Sequence, residues 1–189
     1  MSAHVFLLAL IVGFMLAEAR VSRDNAARLR AAGAFEPPGD AYLALALLYP
    51  AAFLAMAAEG IWRAWSDAGV AAPGEPSWLA AGLLLFAASK ALKYWAIRAL
   101  GVRWSFRVLI LPGLPLVSDG PYRYVAHPNY IAVIGELVGT AMMMEARVLG
   151  PVMTLAFGAA LFARIRFESR VLAPLRRGGP GSTVNVGGA

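Results

Sequence analysis

Cysteine is absent from the 189 residues, and histidine occurs only twice, as His4 and His127. The absence of cysteine excludes disulfide scaffolds, thiolate metal sites and cysteine nucleophiles. Two histidines are too few for a multi-histidine metal centre, so we predict no metal. Charged residues are also scarce, at 15%, whereas an average soluble domain has about 25%.

Apolar residues take the place of the missing charges. They make up 60% of the chain, with a mean hydropathy of +0.64. A soluble domain of 20.0 kDa has too little interior to bury this much apolar surface, so we predict an integral membrane protein with the lipid bilayer as its solvent. The net charge of +6 does not indicate nucleic acid, because the basic residues lie between apolar runs, as in proteins held against anionic lipid.

Five apolar runs predict an all-α integral membrane fold with about five transmembrane helices. A spanning helix needs about 20 apolar residues. Pro50 predicts a kink in the second run, and Lys90 and Lys93 near the end of the third are expected to extend to the membrane surface. The runs are Ala3–Ala17, Ala41–Ala58, Trp78–Leu100, Pro128–Met144 and Val148–Ala163.

The first run also resembles a signal peptide, because Ala17-Glu18-Ala19 has the pattern of a cleavage site. The preceding segment lacks Lys and Arg, and Arg20 and Arg23 follow it. These flanks favour a retained helix.

Basic residues predict the orientation. With five spans, 15 of the 17 Lys and Arg residues fall on one side of the membrane and 2 on the other. This asymmetry predicts an external N-terminus and a cytoplasmic C-terminus. The fourth and fifth runs, joined by residues 145–147, should form a helical hairpin. We divide the chain into N-terminal transmembrane helices (1–77), a membrane core (78–177) and a Gly-rich, disordered tail (178–189).

The most polar segment, residues 120–130, runs directly into the fourth span. Gly120-Pro121 predicts a turn, and Pro128 suits the first turn of a helix. His127 would then lie at the helix mouth, where free backbone N–H groups favour an anionic ligand group. The alternative is an interfacial histidine among aromatic anchors.

Two further features carry charge into or beside the apolar runs. Glu136 lies within the fourth run, on one helix face with Asn129 and Thr140. It marks either a ligand site or a structural polar pair between helices. Arg164 and Glu168 are spaced to meet on one face after the fifth run, either as a site or as a surface ion pair.

Together these residues resemble the isoprenylcysteine carboxyl methyltransferase family. The resemblance rests on Gly120-x-Tyr122, on His127-Pro128-Asn129-Tyr130 before the short hairpin, and on Arg164-x-x-x-Glu168. The segment 94–101 and the sequence His-Pro-Asn-Tyr at 127–130 resemble the bacterial branch of the family. Some members of that branch are associated with type III polyketide synthases and O-methylate long-chain alkylpyrones. The resemblance covers about residues 90–170.

The resemblance implies an S-adenosylmethionine site on the cytoplasmic side. It also implies that Arg164 faces the methyl acceptor, with Arg164 and Glu168 as the catalytic residues. The usual motif arginine before His-Pro is replaced by Ala126, and the second acidic residue of the C-terminal pair by Ser169. The implied cofactor residues are Leu114, Pro115, Leu116, Val117, Tyr122, His127, Pro128, Asn129, Tyr130 and Glu168.

We therefore expect a membrane methyltransferase acting on a carboxyl or hydroxyl group of a lipophilic small molecule. The excess of Ala, and of Arg over Lys, indicates a GC-rich bacterium, which favours a lipid acceptor over a prenylated protein and an inner-membrane location. The alternatives are a membrane sterol-type reductase using NADPH and a non-enzymatic membrane protein.

Overall fold

A computed structural model describes residues 2–66 and 76–177, and these residues are almost entirely helical. Within them the backbone forms no strand, and an isolated bridge pairs Phe35 with Ile110. The predicted all-helical fold is confirmed. The predicted tail, 178–189, lies outside the described residues. The helices are α1 (Ser2–Ala31), α2 (Tyr42–Ser66), α3 (Pro76–Leu100), α4 (Pro128–Met143) and α5 (Leu149–Arg177).

Four of these helices, α1, α2, α3 and α5, are long and apolar enough to cross a membrane. The chain is therefore an integral membrane protein. Helix α4 has 16 residues, which corresponds to about 24 Å and is shorter than a hydrocarbon core of about 30 Å.

Helices α3 and α4 approach each other along a face of small residues. A side-chain carbon at Gly139 would lie 2.9 Å from the Gly82 carbonyl oxygen, and one at Gly135 would lie 2.2 Å from Ser89 Oγ. No larger residue fits at either position without a shift of the backbone or of Ser89. The GxxxG of α4 thus brings two backbones together, as small faces do in lipid, and its partner is α3.

The predicted hairpin of α4 and α5 is present, and α2 fixes its turn. The Glu59 carboxylate accepts hydrogen bonds from the backbone N–H groups of Val148 (3.1 Å) and Leu149 (2.6 Å). It also accepts one from Arg63 at 2.8 Å. A carboxylate at this position satisfies free N–H groups and complements the positive end of the α5 dipole.

The connecting segment (residues 101–127) is held by the second half of α1. The Asn25 amide donates to the carbonyl oxygens of Gly101 (3.2 Å) and Trp104 (2.9 Å). Ser22 Oγ accepts from the backbone N–H of Phe106 at 2.8 Å. An N-terminal helix thereby positions a segment that lies some eighty residues later in the chain.

The prediction that Lys90 and Lys93 extend to the membrane surface is wrong. Their relative exposures are 7% and 1%. The physical reason is that two carboxylates, Glu18 and Glu136, are buried beside them and compensate their charges. Without these two lysines, thirteen basic residues lie on the predicted cytoplasmic side of the membrane and two on the other side.

Candidate functional site

A cavity of about 570 Å³ lies between the helices and the connecting segment. Side chains from all five helices contribute to its wall. Its near end, beside the connecting segment, carries polar side chains from α4 and α5. Its far end, deeper among the helices, carries a second polar group, and apolar residues separate the two.

Most of the residues that the family resemblance singles out lie in the wall at the near end. Pro128 does not: it is buried at the first turn of α4, behind the wall. Ala126, which replaces the usual motif arginine, lines the cavity. The predicted residues in the wall are Leu114, Pro115, Leu116, Val117, Tyr122, His127, Asn129, Tyr130, Arg164 and Glu168.

Arg164 is the centre of the near end and is only 5% exposed. Its Nε donates to the Tyr130 hydroxyl and to Glu168 Oε1, both at 3.1 Å. The Tyr130 hydroxyl in turn donates to Glu168. This burial contradicts the alternative of a surface ion pair for Arg164 and Glu168.

The other side of the Arg164 guanidinium is held by two groups that the sequence analysis did not single out. Nη2 donates to the Phe106 carbonyl oxygen at 2.5 Å and lies 3.6 Å from Asp40 Oδ2. None of these contacts uses Nη1. In the sequence Asp40 is an ordinary residue before a helix, so no local signal marks it.

His127 precedes α4 as its N-cap residue, as the position of Pro128 predicts. Its ring stacks on Tyr130, with ring centroids 5.3 Å apart and an interplanar angle of 13°. Its Nδ1 lies 3.6 Å from Glu168 Oε2. Nearby, burial and then the charge of Glu168 raise the pKa of the Tyr122 phenol, so this hydroxyl stays protonated and can donate.

Asn129 supplies an unpaired acceptor. Its Oδ1 is buried, and within the described part of the chain it has no hydrogen-bond partner. Buried polar atoms are normally paired, and this one belongs to a residue of the cavity wall. A ligand that presents an N–H or O–H group at this point would satisfy it.

Charged groups of both signs lie at the near end. Arg164 contributes one positive charge, and Glu168 and Asp40 contribute one negative charge each. Arg103 and Arg107 of the connecting segment also line the cavity, where Arg103 donates to the Pro115 carbonyl oxygen at 2.6 Å and Arg107 pairs with Glu36 at 2.7 Å. The near end can therefore contact both cationic and anionic groups of one ligand.

The far end is formed by a group of five residues, which we name the deep cluster. Glu18 bridges the two lysines, accepting from Lys90 at 2.6 Å and from Lys93 at 2.8 Å. Lys93 also donates to Glu136 (3.1 Å) and to the Tyr49 hydroxyl (3.2 Å). Glu136 and Thr140, which share one face of α4, are both at 0% exposure, so this face points into the bundle. The deep cluster comprises Glu18, Tyr49, Lys90, Lys93 and Glu136.

Neither end of the cavity gathers a metal-binding group among the residues that the structure describes. Across residues 2–66 and 76–177, no three His, Asp or Glu side chains gather in a way that could hold a metal ion.

The fold and the cavity define a helical membrane protein whose cavity carries charged side chains beside the connecting segment. The family model of the isoprenylcysteine carboxyl methyltransferases matches residues 80–174, half of the chain. The chain therefore belongs to this family, which has a membrane methyltransferase-like function and in general uses S-adenosylmethionine.

A curated relative extends over more of the chain. The uncharacterized protein YpbQ of Bacillus subtilis (strain 168) is 29% identical over 168 residues, which cover 88% of this chain and 94% of the relative. No solved structure matches.

Proposed function

We propose that this protein is an S-adenosylmethionine-dependent O-methyltransferase of the bacterial inner membrane. Its acceptor is a carboxyl or hydroxyl group of a lipophilic small molecule. The observation that carries the proposal is the shared cavity wall: residues 114–117, the start of α4 and the end of α5 are distant in sequence and line one space.

The near end suits the cofactor in charge and in hydrogen bonding. S-adenosylmethionine carries a sulfonium, an ammonium and a carboxylate, and the near end has carboxylate and guanidinium groups to meet charges of both signs. Glu168 can accept from the ammonium or the ribose hydroxyls. Asn129 Oδ1 can accept from an N–H group such as an exocyclic amine, and Tyr122 can donate.

Arg164 is the residue that we assign to the acceptor oxygen. Two of its nitrogens are held by protein groups, which orients the guanidinium, and Nη1 remains for a ligand. A guanidinium stabilises an anionic, nucleophilic oxygen by charge-assisted hydrogen bonds. The cofactor supplies an activated methyl group, and the protein needs mainly to align the two reactants.

The chemistry of the acceptor sets what else is required. A carboxylate is already ionised at neutral pH and needs no general base. A hydroxyl acceptor has to lose a proton or have a low intrinsic pKa. Arg164 favours the ionised form of either one.

The rest of the cavity suits a lipophilic acceptor. Buried apolar side chains, among them Leu45, Val133 and Leu161, line the space beyond the near end. At the rim, Leu16 of α1 lines the cavity and is 64% exposed. An acceptor in the bilayer can therefore pass between helices, while a polar cofactor reaches the near end from the cytoplasm.

Ligand binding to the purified full-length protein tests the proposal. In detergent or nanodiscs, S-adenosylhomocysteine should raise the melting temperature and give a saturable calorimetric isotherm. NADPH serves as the comparison ligand, because a sterol-type reductase would bind it instead. Stabilisation by NADPH alone, or by neither ligand, would overturn the proposed function.

A further inference from the structure

The deep cluster is unusual because part of it faces the cavity. Glu18, Tyr49 and Lys93 line the wall, whereas Lys90 and Glu136 lie behind it. Ionisable groups within membrane-spanning segments are costly, and by default they mark a functional position. An ion network that only held helices together would not need to contact the ligand space.

The hydrogen bonds already made by the wall residues of the deep cluster determine which donors and acceptors remain for a ligand. A lysine ammonium has three hydrogens, and Lys93 has three acceptors, at 2.8, 3.1 and 3.2 Å. Lys93 therefore has no donor left. The Tyr49 hydroxyl already donates to Glu136.

Acceptor capacity does remain in the wall. A carboxylate has about four lone-pair positions, and each oxygen of Glu18 accepts one of the hydrogen bonds described above. The cluster also contains two lysines and two glutamates, so its charge is balanced. It therefore favours a neutral hydrogen-bond donor, and it gives no attraction to a second anionic group.

The distance between the two ends follows from the helices that connect them. Tyr130 and Glu136 are six residues apart on α4, which corresponds to about 9 Å along the helix axis. On α5, Arg164 lies seven residues after Phe157, or about 10 Å, and the Phe157 ring is 5.5 Å from that of Tyr49. Between the ends the wall is apolar.

We propose that the lipophilic acceptor carries a neutral hydroxyl group about 10 Å from its methylated oxygen, and that Glu18 in the deep cluster accepts a hydrogen bond from it. This inference rests on the proposed function, since it takes Arg164 as the position of the methylated oxygen. A plain hydrocarbon at the far end would leave charged groups facing a chain that cannot hydrogen-bond with them, which is unfavourable.

Binding of three fatty acids to the full-length protein in nanodiscs tests the proposal. An extended chain rises about 1.2 Å per bond, so the tenth carbon, nine bonds beyond the carboxyl carbon, lies about 11 Å away and reaches the far end. The probes are octadecanoic acid and its derivatives hydroxylated on the tenth and on the second carbon, each titrated with S-adenosylhomocysteine present. We expect the acid hydroxylated on the tenth carbon to bind about tenfold tighter than the other two, the gain of one hydrogen bond to a charged group.

Two variants distinguish the loss of the hydrogen bond to the ligand from a general destabilisation of the helical bundle. Glu18→Gln removes the charged acceptor, so the affinity for the acid hydroxylated on the tenth carbon should fall towards that of octadecanoic acid. Glu59→Gln removes a buried carboxylate away from the cavity and should retain the preference. The comparison of the three acids on the wild-type protein needs no variant, so it tests the proposal even if Glu18→Gln fails to fold.

The outcomes distinguish this inference from the function on which it rests. Equal affinities for the three acids in the wild type, or no binding of any of them while S-adenosylhomocysteine still binds, would overturn the hydroxyl site and leave the methyltransferase proposal standing. A protein that does not bind S-adenosylhomocysteine overturns both.

Discussion

Arg164 and Glu168 lie one turn apart on α5, and Arg164 Nε donates to Glu168 Oε1 at 3.1 Å. Both also contact the Tyr130 hydroxyl. The two residues have opposite charges, so the proposed function gives them different ligands: the cationic cofactor for Glu168 and the acceptor oxygen for Arg164.

Glu168→Gln should weaken S-adenosylmethionine binding by about tenfold or more, the effect of losing a hydrogen bond to a charged group. Binding of S-adenosylhomocysteine should weaken by a similar factor, because this ligand keeps the ammonium and the ribose hydroxyls that Glu168 is proposed to contact. Calorimetric titration of both ligands against the wild type and the variant measures the loss of affinity. If the variant keeps wild-type affinity for both ligands, Glu168 is not a cofactor residue.

Arg164→Lys should lower methyl transfer at least tenfold and leave cofactor affinity nearly unchanged. Lysine keeps the positive charge beside Glu168 and Asp40 but cannot reproduce the guanidinium fork that leaves Nη1 for the acceptor. The measurement is transfer of a radiolabelled methyl group to extracted membrane lipid, with cofactor titration alongside. Normal turnover would remove Arg164 from the acceptor site.

His127→Ala should weaken cofactor binding without unfolding the protein, because the ring lies in the wall and stacks on Tyr130. The matched control is Tyr124→Ala, which removes a 73% exposed ring from the same segment. Calorimetry on both variants gives the affinities, and thermal unfolding monitors stability. Unchanged affinity for His127→Ala would support the interfacial-anchor alternative.

Glu59→Ala should lower the stability of the protein by about 1–3 kcal/mol, because the N–H groups at the start of α5 lose their acceptor. Cofactor affinity below the melting temperature should be unchanged. Glu145→Ala is the control, since its ion pair with Arg147 is exposed and 3.7 Å long and such pairs contribute little. Thermal unfolding in nanodiscs compares them, and equal melting temperatures would contradict the capping role.

The charge distribution predicts the orientation in the membrane. A reporter fused after Ala189 should be cytoplasmic, and one inserted near Asp67 should be external. Both insertion points lie outside the described residues. Alkaline phosphatase and fluorescent-protein fusions report the two locations, and the opposite result at either point would contradict the five-span orientation.

Local sequence patterns were sufficient for the helices and for much of the near end. Apolar runs mark membrane helices because lipid imposes the same requirement on every spanning segment. Three linking residues make a hairpin of α4 and α5 the simplest connection. The residues that resemble the family motif lie on short, contiguous segments, so their spacing is visible in the sequence.

Other features depend on contacts between distant parts of the chain. The Phe106 carbonyl meets Arg164 from a connecting segment that α1 holds through Ser22 and Asn25. Asp40 reaches the same guanidinium from the residues before α2. No local pattern encodes such a contact.

The sequence by itself determined that this chain is a helical membrane protein with a polar segment leading into its fourth apolar run. The tertiary structure decided where the charges of α3 go. Lys90 and Lys93 lie near the end of an apolar run, and extension to the surface is the ordinary outcome for such lysines. They are buried instead because Glu18 and Glu136, some 72 and 43 residues away, lie beside them, and desolvating an ion is tolerable only when a partner compensates it.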